Sequence, residues 1–284
     1  MPDWDGAIFY IINKVYSHAR LAQWGTGGRD IGTYEQKVYP DQLWRLQAEP
    51  KHPGYYYICN VHNDGYRIGK WGGGDQEVGN YNGQYFDDQL WKFEESGQFY
   101  RIFNYQYKDA KMAKWGKGDG EWGTFSGDNY DDQLWKLAPL LEGSLGKTFV
   151  WSIDNRQGSE NVTVQRSVTK GVKITQASSL TKKTGFKASL QYSASLAIEG
   201  IFSVGSEMSY EFTQEIESSL SHANEKQWSE TTTVTFTAPK GVNYRVTQWQ
   251  LNFGSEALED DQCQGQVLTK FKVEETDGDF SPSV

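Results

Sequence analysis

The sequence predicts an all-β protein of two parts, and three observations carry that prediction. A unit ending in Gln-Leu-Trp occurs three times in the first half, at Gln42-Leu43-Trp44, Gln89-Leu90-Trp91 and Gln133-Leu134-Trp135. No stretch within those units has the length or the 3.6-residue period of a helix. The second half changes to Ser, Thr and Val, and its central segment alternates apolar and polar residues. Such a two-residue period is the mark of a strand with one face buried and one face wet.

The three copies keep their register throughout. Asn13, Asn60 and Asn104 open them, Trp24-Gly25, Trp71-Gly72 and Trp115-Gly116 follow, then Tyr34, Tyr81 and Phe125, and in each copy the final Trp lies 20 positions after the Trp of the Trp-Gly pair. The repeats run over about residues 8–46, 55–93 and 99–137. Their apolar positions fall in short pieces, Phe9–Ile12, Tyr55–Ile58 and Phe99–Phe103, between Gly, Asn and Asp clusters that mark turns. A propeller needs at least four blades of this size to close, whereas three copies close a three-fold barrel. Trp-Gly and the glycines Gly27, Gly74 and Gly118 recur in every copy and are expected in turns and core. Gly72-Gly73-Gly74 lacks the following Gly-Lys-Ser/Thr of a phosphate loop.

A Gln-x-Trp triplet closing each of three subdomains resembles the ricin-B-type β-trefoil lectins, over roughly residues 5–140. That resemblance implies that the Gln and Trp are structural, the Trp in the barrel core and the Gln fixing a neighbouring polar group. A sugar site needs a flat apolar platform for the C–H face of a pyranose and polar groups aimed at its hydroxyls. Tyr34, Tyr81 and Phe125 are the platform candidates, and Asp41, Asp88 and Asp132 the polar ones. At the family's early Asp the alignment places Gln23, Lys70 and Lys114. The two lysines either face an acidic or sulfated glycan or are solvated surface residues. Unequal sites are expected, since the first repeat has Gln23 and the third Phe125.

Gly143 and Gly146 mark a connector after Leu141, dividing the chain into residues 1–141 and 142–284. Strands are expected at Thr148–Ile153, Val162–Val168, Thr231–Thr237 and Tyr244–Phe253. In the run 186–212, Phe186, Ala188, Leu190, Tyr192, Ala194, Leu196 and Ile198 alternate with mostly polar residues, and Phe202, Val204, Met208, Tyr210 and Phe212 do so again after Glu199-Gly200-Ile201. This predicts a hairpin whose arms match the roughly 9–11 residues of a tilted transmembrane strand. An ordinary sandwich hairpin has the same period. Small Ser and Thr on the polar face and the apolar turn through Leu196, Ile198, Ile201 and Phe202 suit a water-filled lumen and a lipid-facing tip.

The order of Ser/Thr-rich strand, amphipathic hairpin, Ser/Thr-rich strand (Ser218–Thr237) and Pro239-Lys240-Gly241 turn resembles the aerolysin-type β-pore-forming toxins. That resemblance implies an elongated aerolysin-like β-sheet module over residues 142–284. It also implies membrane insertion by a ring of subunits, with Leu190, Tyr192, Leu196, Ile198, Ile201, Phe202, Val204, Met208, Tyr210 and Phe212 on the lipid-facing side.

Composition narrows the function classes. The formal net charge is −9, which argues against nucleic acid and against simple docking on anionic lipid, and favours a specific surface receptor. No apolar run is long enough for a transmembrane helix and Met1-Pro2-Asp3-Trp4 begins no signal peptide, so a chain made in soluble form is expected. Cys59 and Cys263 fall in different halves and are expected as free thiols. Glu274 to Asp279 is expected as a solvated tail. His18, His52, His62 and His222 lack metal-ligand spacing and the carboxylates recur with the repeat, so neither an enzyme nor a cofactor is expected. Two functions remain. One is a lectin that binds glycoprotein or glycolipid glycans on a target membrane, assembles into a homo-oligomeric ring and inserts a β-barrel. The other is a non-lytic agglutinin or storage lectin whose second domain only oligomerises it.

Overall fold

The computed structural model describes residues 4–176, 196, 214–216, 218–219, 229–255 and 264–276. They fall into two compact units. The first holds residues 4–142 with Leu196 and Ser255, and the second holds the other described residues from Gly143 onward.

Each repeat of the first unit folds into four strands: β1 (Ile8–Asn13), β2 (Arg20–Gln23), β3 (Ile31–Tyr34) and β4 (Leu43–Ala48), then β5 (Tyr55–Asn60), β6 (Tyr66–Lys70), β7 (Val78–Asn82) and β8 (Leu90–Ser96), then β9 (Phe99–Asn104), β10 (Ala110–Lys114), β11 (Trp122–Ser126) and β12 (Leu134–Pro139). The outer strands pair antiparallel in a closed cycle, β1 with β4, β4 with β5, β5 with β8, β8 with β9, β9 with β12 and β12 back to β1. Closure leaves no unpaired edge around the barrel. The inner pairs β2–β3, β6–β7 and β10–β11 form one hairpin per repeat. The unit is a β-trefoil.

Packing follows the repeat. Trp44, Trp91 and Trp135 are fully buried, and each indole N–H donates to a strand carbonyl of its own repeat, Leu21 at 2.8 Å, Ile68 at 2.9 Å and Met112 at 2.9 Å. A buried indole needs such a partner, because an unmet donor in a dry core is costly. Leu46, Ile58, Phe93 and Ile102 fill the same core, and Trp4 packs against Phe9, Tyr56, Phe93 and Tyr100.

Successive repeats are stitched by the opening asparagines. Asn60 Nδ2 donates to the Asp41 carbonyl at 2.8 Å, Asn104 Nδ2 to Asp88 at 2.8 Å and Asn13 Nδ2 to Asp132 at 2.7 Å. Each Asn Oδ1 accepts two backbone N–H groups two and three residues ahead, from Val15 and Tyr16, His62 and Asn63, and Gln106 and Tyr107. One side chain thus shapes its own turn and grips the preceding repeat.

The second unit is a five-stranded sheet in the order β13 (Leu141–Asp154), β16 (Asn243–Ser255), β17 (Gln264–Glu275), β14 (Val162–Gln176) and β15 (Ser229–Ala238). Trp151, Ile153, Val168, Ala238 and Val246 form its core, joined by Val164, Val234, Phe236 and Tyr244. Along β15 the alternate residues Thr231, Thr233, Thr235 and Thr237 are exposed, so the strand is apolar on one face and hydroxylated on the other. Asn155 Nδ2 donates to the carbonyls of Glu160, Ala238 and Pro239, closing the turn that Gly241 makes at φ 79°.

Three expectations need correction. Gly143 and Gly146 do not form a connector, for both lie within β13. Ser218–Thr237 is not one strand: 218–219 are helical and β15 begins at Ser229. Glu274 and Glu275 are not a loose tail, for β17 pairs them with Arg245 and Tyr244, and the Tyr244 hydroxyl donates to Glu275 Oε1 at 3.0 Å. The polar flanks of Gln264–Glu275 hid a strand that lies between two neighbours. The predicted hairpin 186–212 lies outside the described residues except for Leu196, and so does Cys263.

Replacing Trp91 by Ala removes a fully buried indole and its hydrogen bond. It should cost about 3–5 kcal/mol in urea unfolding, whereas the same change at the exposed Trp71 should cost clearly less.

Candidate functional site

The hairpin loops after β2, β6 and β10 carry the Trp-Gly pairs, and there the structure departs from expectation. Trp24, Trp71 and Trp115 are exposed by 50%, 43% and 39%, so they lie outside the core. Each indole lies across the glycine of the returning strand. A Cβ at Gly32 would meet the Trp24 ring at 2.7 Å, one at Gly79 the Trp71 ring at 2.9 Å and one at Gly123 the Trp115 ring at 2.8 Å. The missing side chain lets a flat ring lie on the backbone and keep one face toward solvent. Sequence reading missed these tryptophans because a Trp repeated beside Gly in each copy reads equally well as packing.

A second aromatic pair stands in each repeat. Tyr34 and Tyr39 have ring centroids 5.6 Å apart, Tyr81 and Phe86 5.8 Å, and Phe125 and Tyr130 5.8 Å. Tyr39, Phe86 and Tyr130 are exposed, and none was anticipated as a site residue. Each begins a short 3-10 turn that carries the site Asp and the repeat's Gln. The Gln is buried and pins the turn: Gln42, Gln89 and Gln133 Oε1 accept the backbone N–H of Tyr39, Phe86 and Tyr130. Behind the second turn, the buried Arg67 donates to Gln89 Oε1 and to the carbonyls of Gly83 and Gln84.

Asp41, Asp88 and Asp132 share one unusual property. In each, the buried oxygen Oδ1 has no hydrogen-bond partner. Burial pushes all three carboxyls above the usual carboxylate range; Asp87 and Asp131 add to this at Asp88 and Asp132, while His62 opposes it at Asp41. An unmet acceptor in a partly dry place costs free energy, and its threefold recurrence marks a position held ready for a donor.

In the third repeat these groups line a cavity of about 540 Å³, a size suited to a small ligand. Trp115, Phe125 and Tyr130 form its apolar walls, Asp132 is its carboxylate, and Asp75 and Gln76 enter from the second repeat's loop. The loops are handed on in a cycle: the Asp75 carbonyl accepts the Thr124 N–H at 2.8 Å, that of Asp119 the Thr33 N–H at 2.9 Å and that of Gly28 the Asn80 N–H at 2.9 Å. Each returning strand is therefore bonded to the loop of another repeat, and in the third repeat that loop forms part of the cavity rim.

Of the nine predicted site residues, Phe125 and Asp132 line this cavity, and Tyr34, Asp41, Tyr81 and Asp88 hold the equivalent places. Gln23, Lys70 and Lys114 do not line it. Lys70 and Lys114 are 1% and 0% exposed, which removes the alternative that they are solvated surface lysines. Lys70 Nζ donates to the Gly74 carbonyl at 2.8 Å and Lys114 Nζ to that of Gly118 at 3.0 Å, over the rings of Tyr107 and Tyr16. Gln23 Nε2 donates likewise to Gly25 at 2.9 Å. All three hold the tryptophan loops from beneath, and burial lowers both lysine pKa values.

Leu196 is the one predicted lipid-facing residue among the described ones. It is 2% exposed and packs within the first unit against Tyr10, Ile12 and Ala138, flanked by Val38, Leu43 and Leu140. Among the described residues, no group of His, Cys, Asp or Glu side chains is placed to hold a metal ion.

No protein-family model matches the chain, and no curated protein sequence does either. Solved structures show partial likenesses. The BEL β-trefoil is 21% identical over 48% of this chain and 94% of its own, with a TM-score of 0.42. The lectin of Polyporus squamosus, solved with a sialylated epitope, is 17% identical over 49% of this chain and 51% of its own, at 0.43. The hemolytic lectin CEL-III is 17% identical over 98% of this chain and 62% of its own, at 0.39. At such scores the trefoil assignment rests on the strand pairing above.

An Asp88→Asn variant tests the burial cost. A raised acid pKa means the folded state holds its proton while the unfolded chain has already lost it, so the charge destabilises above that range. Asp88→Asn should gain stability at pH 7, and the gain should vanish as pH falls below the usual carboxylate range, read from denaturant midpoints.

Proposed function

We propose that the first unit binds glycans through three sites and that the second unit carries a membrane-inserting segment, making the chain a glycan-targeted pore-forming protein. One observation carries the binding half: a carboxylate oxygen without a partner, beside exposed aromatic faces, built three times. A pyranose offers the complement, since its axial C–H groups lie on an aromatic ring while its hydroxyls donate to the carboxylate. At each site Asp41, Asp88 or Asp132 accepts the hydroxyls. Tyr34, Tyr81 or Phe125, with the neighbouring tryptophan, forms the platform, and Gln23, Lys70 or Lys114 holds the loop. Three sites on one rigid trefoil bring avidity on a glycan-bearing surface.

The pore half rests on the alternating run 186–212 and on the long Thr-lined strands of the second unit. A single hairpin in lipid leaves unpaired backbone edges, and only a closed ring of copies satisfies them, so insertion is oligomeric. Leu196 supports a soluble form in which its apolar side chain is covered until the membrane is reached.

Asp132→Ala should lower affinity at the third site about tenfold or more, the worth of a charge-assisted hydrogen bond, measured by glycan titration. For the pore, dye release from erythrocytes is compared between the wild type and a Ser195→Cys, Ser203→Cys pair. Release by the pair only after reduction supports insertion of this segment. Agglutination without release at any concentration leaves a non-lytic lectin.

A further inference from the structure

The three sites differ in what the neighbouring repeat lends them. The third site receives Asp75-Gln76, the first Asp119-Gly120 and the second Gly28-Arg29. The carbonyl of the first residue in each pair makes the same hydrogen bond to the returning strand, to Thr124, Thr33 and Asn80. The second residue is therefore placed alike, and in the third site that residue, Gln76, lines the cavity. A Cβ on Gly79 would collide with both the Gly28 carbonyl and the Trp71 ring, so this loop tip lies directly against the second site's platform.

The charge consequence is large. The borrowed pair contributes −1 to the first and third sites and +1 to the second, a difference of two charges at one rim. Arg29 is exposed and, among the described residues, has no ion-pair partner. The other guanidinium near this platform, Arg67 over the Tyr81 ring, is buried and bonded to Gln89, Gly83 and Gln84; in a chain of net charge −9, an exposed guanidinium on the loop tip that meets the platform is a local reversal of the field. Arg presents a planar fork that matches a carboxylate or sulfate in two parallel hydrogen bonds.

Building on the glycan-binding reading, we propose that the second site is specialised for anionic glycans, sialylated or sulfated, with Arg29 as the specificity-determining residue. The sugar's hydroxyls meet Asp88 and its ring lies on Trp71 and Tyr81, while the acidic substituent lies outward against Arg29. The first and third sites carry an Asp at the same rim and favour neutral glycans. The trefoil thereby reads two glycan classes with one repeated scaffold.

The test uses the full chain on a surface printed with lactose, 3′-sialyllactose and 3′-sulfated lactose. Asp41→Ala and Asp132→Ala first silence the other two sites. In that background Arg29→Gln, which installs the third site's residue, should lower the ratio of anionic to neutral affinity about tenfold, the worth of a charged hydrogen bond. Arg29→Lys should retain part of it. With the second and first sites silenced instead, Gln76→Arg should raise the same ratio at the third site. Added salt should weaken the anionic glycans selectively. The two anionic probes separate carboxylate from sulfate preference. An unchanged ratio in Arg29→Gln overturns the proposal even if all glycans still bind. Failure of the unaltered chain to bind any of the three overturns the glycan reading, and this inference with it.

Discussion

The asparagine that opens each repeat holds the first unit together. Its amide nitrogen grips the carbonyl of the preceding repeat's site aspartate, and its oxygen orders its own turn. Because Trp44, Trp91 and Trp135 sit directly across the strand pair from Asn60, Asn104 and Asn13, the stitch lies against the buried indoles. No repeat can adopt its fold alone. Its core Trp pairs across strands with the neighbour's asparagine, and the carbonyl of its candidate-site aspartate accepts from that same asparagine, so folding of the barrel and shaping of these turns are coupled.

That coupling explains how a carboxylate can be kept partly dry with its buried oxygen unpaired. The peptide that carries Asp41, Asp88 or Asp132 is fixed on both sides, by the asparagine stitch on its carbonyl and by the buried glutamine on the same turn. The backbone cannot swing the carboxyl into water. The cost is met by the rest of the barrel, and in return the acceptor is preorganised. The buried lysines act in the same sense. They fill the space under the tryptophan loops and satisfy loop carbonyls, so the platforms rest on a rigid base. The thiol of Cys59, pushed up to about 11 by burial, takes no part in this chemistry.

Symmetry of scaffold and asymmetry of rim serve different ends. Residues that the barrel constrains, the Gln, the core Trp, the Asn and the platform glycine, recur in all three copies. The loop-tip pairs Gly28-Arg29, Asp75-Gln76 and Asp119-Gly120 are bonded to the next repeat through a backbone carbonyl. Their side chains are free to vary without disturbing the fold, and it is there that the sites diverge in charge.

By itself the sequence determined the all-β class and the three-fold count, and it singled out one Gln, one closing Trp, one Asp and one inner aromatic per copy as equivalent positions. All of these follow from spacing, because a repeat in strict register forces equivalent residues into equivalent surroundings. Only the tertiary structure decided that Lys70 and Lys114 are buried props, that the Trp-Gly tryptophans face solvent and that Tyr39, Phe86 and Tyr130 stand beside the inner aromatics. It alone also showed that each returning strand is bonded to a loop of another repeat. A linear repeat pattern reports what sits at each position but not which face of a two-residue turn points outward, nor which loop closes over which neighbour. The stitch is made between residues 16 to 119 positions apart, and such pairings exist only once the barrel has closed.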